Sequence, residues 1–202
     1  SITAPRHGVW ERKASFARAL HVFGYCEQAL RLLFECISGI GKTHNSNDLS
    51  LAHLFSSIGD IYLQQGRYKA AMAMHQKALN VKLETCGSDE HSEVAMSYAD
   101  IGIVFHKQGK FDKALELWRK CADVRMRLHG DNDREIARAF HGMGSVYASQ
   151  GNFDEALRML QRDVAITKVR VGSRHVDCCA AYMSIAGVYD ELGRGNEALP
   201  LY

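Results

Sequence analysis

QGRYKAAM (residues 65–72), QGKFDKAL (108–115) and QGNFDEAL (150–157) decide the reading of this chain, because they are one phrase written three times. Weaker copies flank them, FGYCEQAL at 23–30 and LGRGNEAL at 192–199. Their glycines, Gly24, Gly66, Gly109, Gly151 and Gly193, lie 42, 43, 42 and 42 residues apart. A fixed period of this length marks stacked repeats in which each unit buries its apolar side only against its neighbours.

Other columns keep the same register. Five residues after each glycine stands an alanine: Ala29, Ala71, Ala114, Ala156 and Ala198. Four of the copies place an aromatic four residues before the glycine (Tyr62, Phe105, Tyr147, Tyr189) and another eleven before it (Phe55, Tyr98, Phe140, Tyr182). That spacing of two turns puts both on one face of a helix. Between them sit Gly59, Gly102, Gly144 and Ala186. A glycine inside a helix costs about 1 kcal/mol against alanine, so its recurrence predicts close approach of a neighbouring helix. Each unit reads as helix A, a tight turn at the glycine, and helix B, closed by Gly87, Gly130 and Gly172 in the left-handed position that ends helices. Acid-rich links such as GSDEHSEVA suit the positive end of the next helix. Helices are expected near 10–22, 26–38, 49–64, 68–85, 92–107, 111–128, 133–149, 153–170, 175–191 and from 195 onward.

This pattern resembles the tetratricopeptide repeat, whose usual unit is 34 residues. The longer helix B and the GSDEHSEVA link are similar to the repeats of kinesin light chains. The resemblance covers residues 45–202 and, more weakly, 10–40. It implies an all-α fold, an α-solenoid that coils as a right-handed superhelix of helix-turn-helix repeats. The organisation expected is a tail at 1–9, a degenerate hairpin at 10–44, and an array at 45–202 of three full repeats and a truncated fourth. In light chains, paired asparagines on helix A hold the backbone of a cargo peptide. Here the matching positions carry Ser56 and Ser57, Ala99 and Asp100, His141 and Gly142, and Met183 and Ser184, a departure from that pattern.

The family's groove is lined by A helices. Projection of this chain places there His53, Ser56 and Asp60; Met96, Ala99, Ile103, His106 and Lys107; Arg138, His141 and Ser145; and Met183, Asp190 and Glu191. The centre is cationic and apolar and the far end acidic, so the expected partner is a protein or peptide segment with a hydrophobic anchor and an acidic residue. The function expected is a non-catalytic scaffold or adaptor, of cargo, cytoskeletal or ciliary kind. The alternative is a regulatory or sensor module of a larger nucleotide-dependent protein. The chain lacks an initiating Met and stops at ALPLY within helix B, so a longer parent is expected, with continuation of the array or self-association at the open end.

Composition supports this and excludes rivals. Between Pro5 and Pro200 no helix breaker occurs. The net charge is +2, and the excess sits in residues 1–44, so no basic field points to nucleic acid. No apolar run approaches the ~20 residues that span a bilayer. The scattered Cys26, Cys36, Cys86, Cys121, Cys178 and Cys179 read as reduced thiols in a cytoplasmic setting. SGIGKT (38–43) matches the end of a P-loop, but Cys36 replaces the first glycine and a helical pattern stands where a strand is needed. No metal-ligand spacing and no catalytic constellation appear, so no cofactor, metal or enzyme activity is expected. The basic run WRKCADVRMRL (118–128) reads as a solvated outer face.

Overall fold

A computed structural model describes residues 7–40, 49–131, 133–171 and 176–202. These form ten α-helices, and among the described residues there is no strand. Helices α1 (His7–Val22), α3 (Leu49–Gln64), α5 (Ser92–Lys107), α7 (Arg134–Ser149) and α9 (Val176–Glu191) are the A helices. Helices α2 (Cys26–Ile40), α4 (Tyr68–Cys86), α6 (Phe111–His129), α8 (Phe153–Val171) and α10 (Gly195–Ala198) are the B helices. The last continues as a 3-10 turn at Leu199–Leu201. The expected long helix from 195 thus tightens where Pro200 has no N–H to donate. None of these helices is long and apolar enough to cross a membrane.

The chain divides into two compact units, residues 1–89 and 90–202. The first hairpin therefore packs with the first full repeat: Ala17, Leu33 and Ile40 share a core with Leu54, Ile58 and Ile61. In the second unit, Leu160 and Val164 of α8 pack on Ile185 and Val188 of α9.

All five repeat glycines have positive φ, from 68° to 86°. At each turn the N–H after the glycine donates to the carbonyl five residues earlier: Tyr25 to Leu20, Arg67 to Tyr62, Lys110 to Phe105, Asn152 to Tyr147 and Arg194 to Tyr189, all at 2.8–2.9 Å. This is the Schellman closure, which satisfies otherwise orphaned carbonyls at a helix end. Replacing Gly109 by alanine is expected to cost about 1–2 kcal/mol, the penalty for a side chain in that backbone region, measured as a lowered urea midpoint. Of the helix-B closers, Gly87 is left-handed at φ 66°, ψ 5°. Gly130 is not: at φ 76°, ψ −179° it occupies an extended region open essentially only to glycine. Gly172 lies outside the described residues.

The recurring internal glycines meet their expected neighbours. A Cβ on Gly59 would stand 2.6 Å from the His75 ring, one on Gly102 3.3 Å from the Trp118 indole, and one on Gly144 2.7 Å from Leu160. His75, Trp118 and Leu160 each lie nine residues after the turn glycine, so the same helix-B position fills the same notch in these three units. Trp118 is wedged from both sides, since a Cβ on Gly142 of α7 would also run into its indole.

The aromatic columns have a second role. Lys77 stacks over Phe55, Lys120 over Tyr98 and Arg162 over Phe140, at 4.5–5.6 Å from the ring centroids. Arg67 covers Tyr62 and Arg194 covers Tyr189 in the same way at the turn. The first hairpin, which lacks the aromatics, holds the matching place with the ion pair Lys13–Glu35 at 3.2 Å. The run at 118–128 is tied down likewise. Arg119 donates to the Tyr147 hydroxyl, Arg125 pairs with Asp133 and Arg127 with Glu90. The cap of α5 is His91, whose Nδ1 accepts from the Glu93 N–H, rather than the acids before it.

The outward side of α1 differs from its counterparts. Phe16 is 61% exposed, whereas Ile58 and Met143, at the same repeat position in α3 and α7, are 0% and 4% exposed. Ile58 shares a core with Leu33 of the preceding B helix, and α7 packs on α6; α1 follows no described B helix. Cys36, Cys121 and Cys178 are buried and Cys179 is exposed, and none of the six forms a disulfide. Burial pushes the Cys121 thiol up to about 12. Ser38, Gly39 and Ile40 end α2, with Gly39 against the Trp10 indole, while residues 41–43 of SGIGKT lie outside the described residues. A helix, not a strand, leads into that motif.

Candidate functional site

In the first unit, His53 and Asp60 are exposed on α3 and Ser56 is half-buried. Asp60 pairs with the buried His75 at 3.7 Å. His53 borders a cleft of about 460 Å³ shared with Trp10, Ser15 and Arg18 of α1.

In the second unit the A-helix face is carried by α5, α7 and α9. Met96, Ile103 and His106 on α5 are half-buried and Lys107 is exposed. Ala99 is 1% exposed, which corrects its assignment to the groove. Its methyl is too short to emerge past the neighbouring side chains. Arg138, His141 and Ser145 on α7 are half-buried, and Met183, Asp190 and Glu191 on α9 are exposed.

Most of the expected positive charge at the centre is consumed inside the chain. Arg138 binds Asp100 of α5 at 2.9 Å and Glu135 at 3.2 Å. Burial opposes its charge, but these two carboxylates outweigh burial and raise its pKa above the ordinary arginine value. His141 Nδ1 lies 3.0 Å from Asp163, a carboxylate of α8 that is 6% exposed and also accepts from the Thr167 hydroxyl. His106 is shifted below the ordinary histidine value, first by burial and then by Lys107, and its Nε2 is 2.9 Å from Ser149 Oγ. Of the expected cations, Lys107 is the one that stays exposed.

The structure brings His106, Ser145 and Glu191 together around one cleft of about 520 Å³, with Ala148, Ser149, Ser184, Gly187 and Val188 also lining it. Sequence projection missed Ser149, Ser184 and Gly187. The signal was present six residues before the turn glycine, where Asp60 and Ile103 give way to Ser145 and Gly187 and so open a hole. Among the described residues no group of three potential ligands could hold a metal.

Known structures share this architecture. BtubC (BKLC) from P. vanneervenii superposes with a TM-score of 0.77 at 22% identity, over 95% of this chain and 76% of its own. A putative kinesin light chain of Podosopora anserina, with nearly identical TPR-like repeats, gives 0.72 at 20% identity, over 95% of this chain and 90% of the other. The Rap conjugation gene regulator of the plasmid pLS20, solved in complex with a Phr peptide, gives 0.80 at 16% identity, with all of this chain matching 55% of that one. At these identities the likeness is one of fold. No curated protein matches the sequence. A tetratricopeptide repeat family profile matches residues 93–168 and another of the same description residues 51–93. Those matches run through more than half of the chain and fall on the repeats whose notches and turns are described above, so the chain belongs to the tetratricopeptide repeat family.

Proposed function

We propose that this chain is a non-catalytic protein-interaction scaffold that holds an extended segment of a partner protein along the A-helix face of its repeats. The observation that carries the reading is the 520 Å³ cleft, at which three side chains chosen for the groove, from α5, α7 and α9, converge. A rigid row of half-buried polar groups beside the apolar Met96 and Ile103 suits an extended peptide. The hydrophobic anchor of the partner would lie on Met96 and Ile103 and its acidic residue near Lys107. A cytoplasmic cargo or cytoskeletal adaptor role belongs to this proposal, supported by the likeness to the putative kinesin light chain and to BtubC. The Rap regulator solved with its peptide supports the mode of binding.

The test uses peptides selected from a random linear library on the intact chain, with a photo-crosslinking residue placed at Ser184 or, as a control, at Lys113 on the exposed side of α6. Crosslinking from position 184 and not from 113 is the expected result. Crosslinking only from 113, or the absence of any binding peptide, would remove the groove assignment.

A further inference from the structure

The cleft at α7 and α9 has a one-sided hydrogen-bonding character. Ser145 Oγ donates to the His141 carbonyl, Ser149 Oγ to the Ser145 carbonyl and Ser184 Oγ to the Ala180 carbonyl, each at 3.0 Å. A hydroxyl has one proton to give and two lone pairs, and these three have spent their protons on their own helices. His106 Nε2 supplies its proton to Ser149 Oγ, because that hydroxyl's own proton is committed. What faces the cleft is therefore a set of acceptors: hydroxyl lone pairs and the carboxylate of Glu191, the one charged group in the lining. The rest of the lining is apolar, with Phe153 and Leu160 of α8 beside the α7 and α9 residues. A Cβ on Gly187 would meet nothing within 4 Å, and Val188 and Ala148 border the same space.

An acceptor-only wall with one carboxylate favours an occupant rich in donors and positively charged. Arginine meets both demands, with five N–H groups in a planar fork and an apolar stem. We propose that this cleft is an anchor pocket for an arginine side chain of the bound segment, its guanidinium on Glu191 and the serine hydroxyls and its stem along Ala148 and Val188. The proposal rests on the groove reading above and adds a direction to it: the acid of the segment lies toward Lys107 and the arginine toward α9.

Peptides selected on the intact chain should share one fixed arginine, favoured over lysine. Glu191→Gln should weaken an arginine peptide by about 10- to 100-fold, the range for losing a charge-assisted hydrogen bond. Replacing that arginine by citrulline, which keeps shape and removes charge, should weaken binding to the natural chain and change little in the Glu191→Gln variant. Gly187→Leu should abolish binding by filling the pocket. Its helical content should stay unchanged, because the added side chain enters open space and leucine is the better helix former. Peptides that Gly187→Leu displaces but that carry no fixed cation would overturn the arginine assignment and leave the groove standing. An arginine peptide indifferent to Glu191→Gln would overturn it as well. Peptides untouched by Gly187→Leu and uncrosslinked from position 184 would sink the groove reading itself.

Discussion

Trp118→Ala will destabilise the second unit by about 3–5 kcal/mol, the upper range for deleting a buried aromatic. The indole is 3% exposed. Its two flanking positions, Gly102 and Gly142, have no side chains that could close the space left behind. Sites that cannot collapse retain the whole cavity, and cavity volume sets the cost. Trp118→Leu should recover part of the loss, since leucine occupies the same repeat position at Leu33 and Leu160 and is buried at both. Gly142→Ala should push the indole off its seat and cost about 1–3 kcal/mol in overpacking, set against about 1 kcal/mol gained in helix propensity. Urea denaturation followed by far-ultraviolet circular dichroism reads all three. A Trp118→Ala loss below about 1 kcal/mol would mean that the wedge is not packed as described.

The second large effect is expected at Asp133. Its carboxylate caps α7 by accepting from the Glu135 N–H at 2.8 Å, and it receives Arg125 through two bonds of 3.0 and 2.7 Å. Both side chains are 12% exposed. Asp133→Ala should cost about 3 kcal/mol or more, because it strands Arg125 and removes the cap together. Adding Arg125→Met should restore part of the loss, since no unpaired charge then stays buried. If the double variant is no more stable than Asp133→Ala alone, the stranded charge is not the source of the cost.

The same carboxyl governs an acid limb. Burial alone would raise its pKa, but the Arg125 hydrogen bonds, the Glu135 N–H and the charges of Arg125 and His129 prevail and hold it below the ordinary aspartate value. A group depressed in the folded state stabilises fully above its unfolded value of about 4, and that contribution fades as pH falls through the folded value. Stability measured from pH 7 downward should therefore fall less steeply below about pH 4 in Asp133→Ala than in the natural chain.

Helix positions were legible because their signals are local. Gly66 and Gly109 form the tight turns their register predicts, each with φ of 71°, and α3 and α5 span the residues expected. The notch at Gly59, Gly102 and Gly144 was legible as a demand for close packing, though not its occupant. His75, Trp118 and Leu160 share a position without sharing chemistry. The charge of the groove was not legible, because it depends on neighbours in other helices. Arg138 looked like a cation for a partner until Asp100, 38 residues away, was found against it, and His141 until Asp163 emerged from α8. Lys77, Lys120 and Arg162 share the position eleven residues after the turn glycine, and the stacked rings explain why cations stand there.

Within each unit, every packing contact among the described helices joins elements adjacent or next-but-one along the chain. Loop closure between distant segments is the slow, entropically expensive step in assembling most domains, and within either unit the described helices require none. Refolding from urea is accordingly a matter of short searches, placing the chain among the microsecond-to-millisecond folders typical of low contact order. The growing polypeptide can also order each hairpin once a neighbouring hairpin has been made, without waiting for its far end.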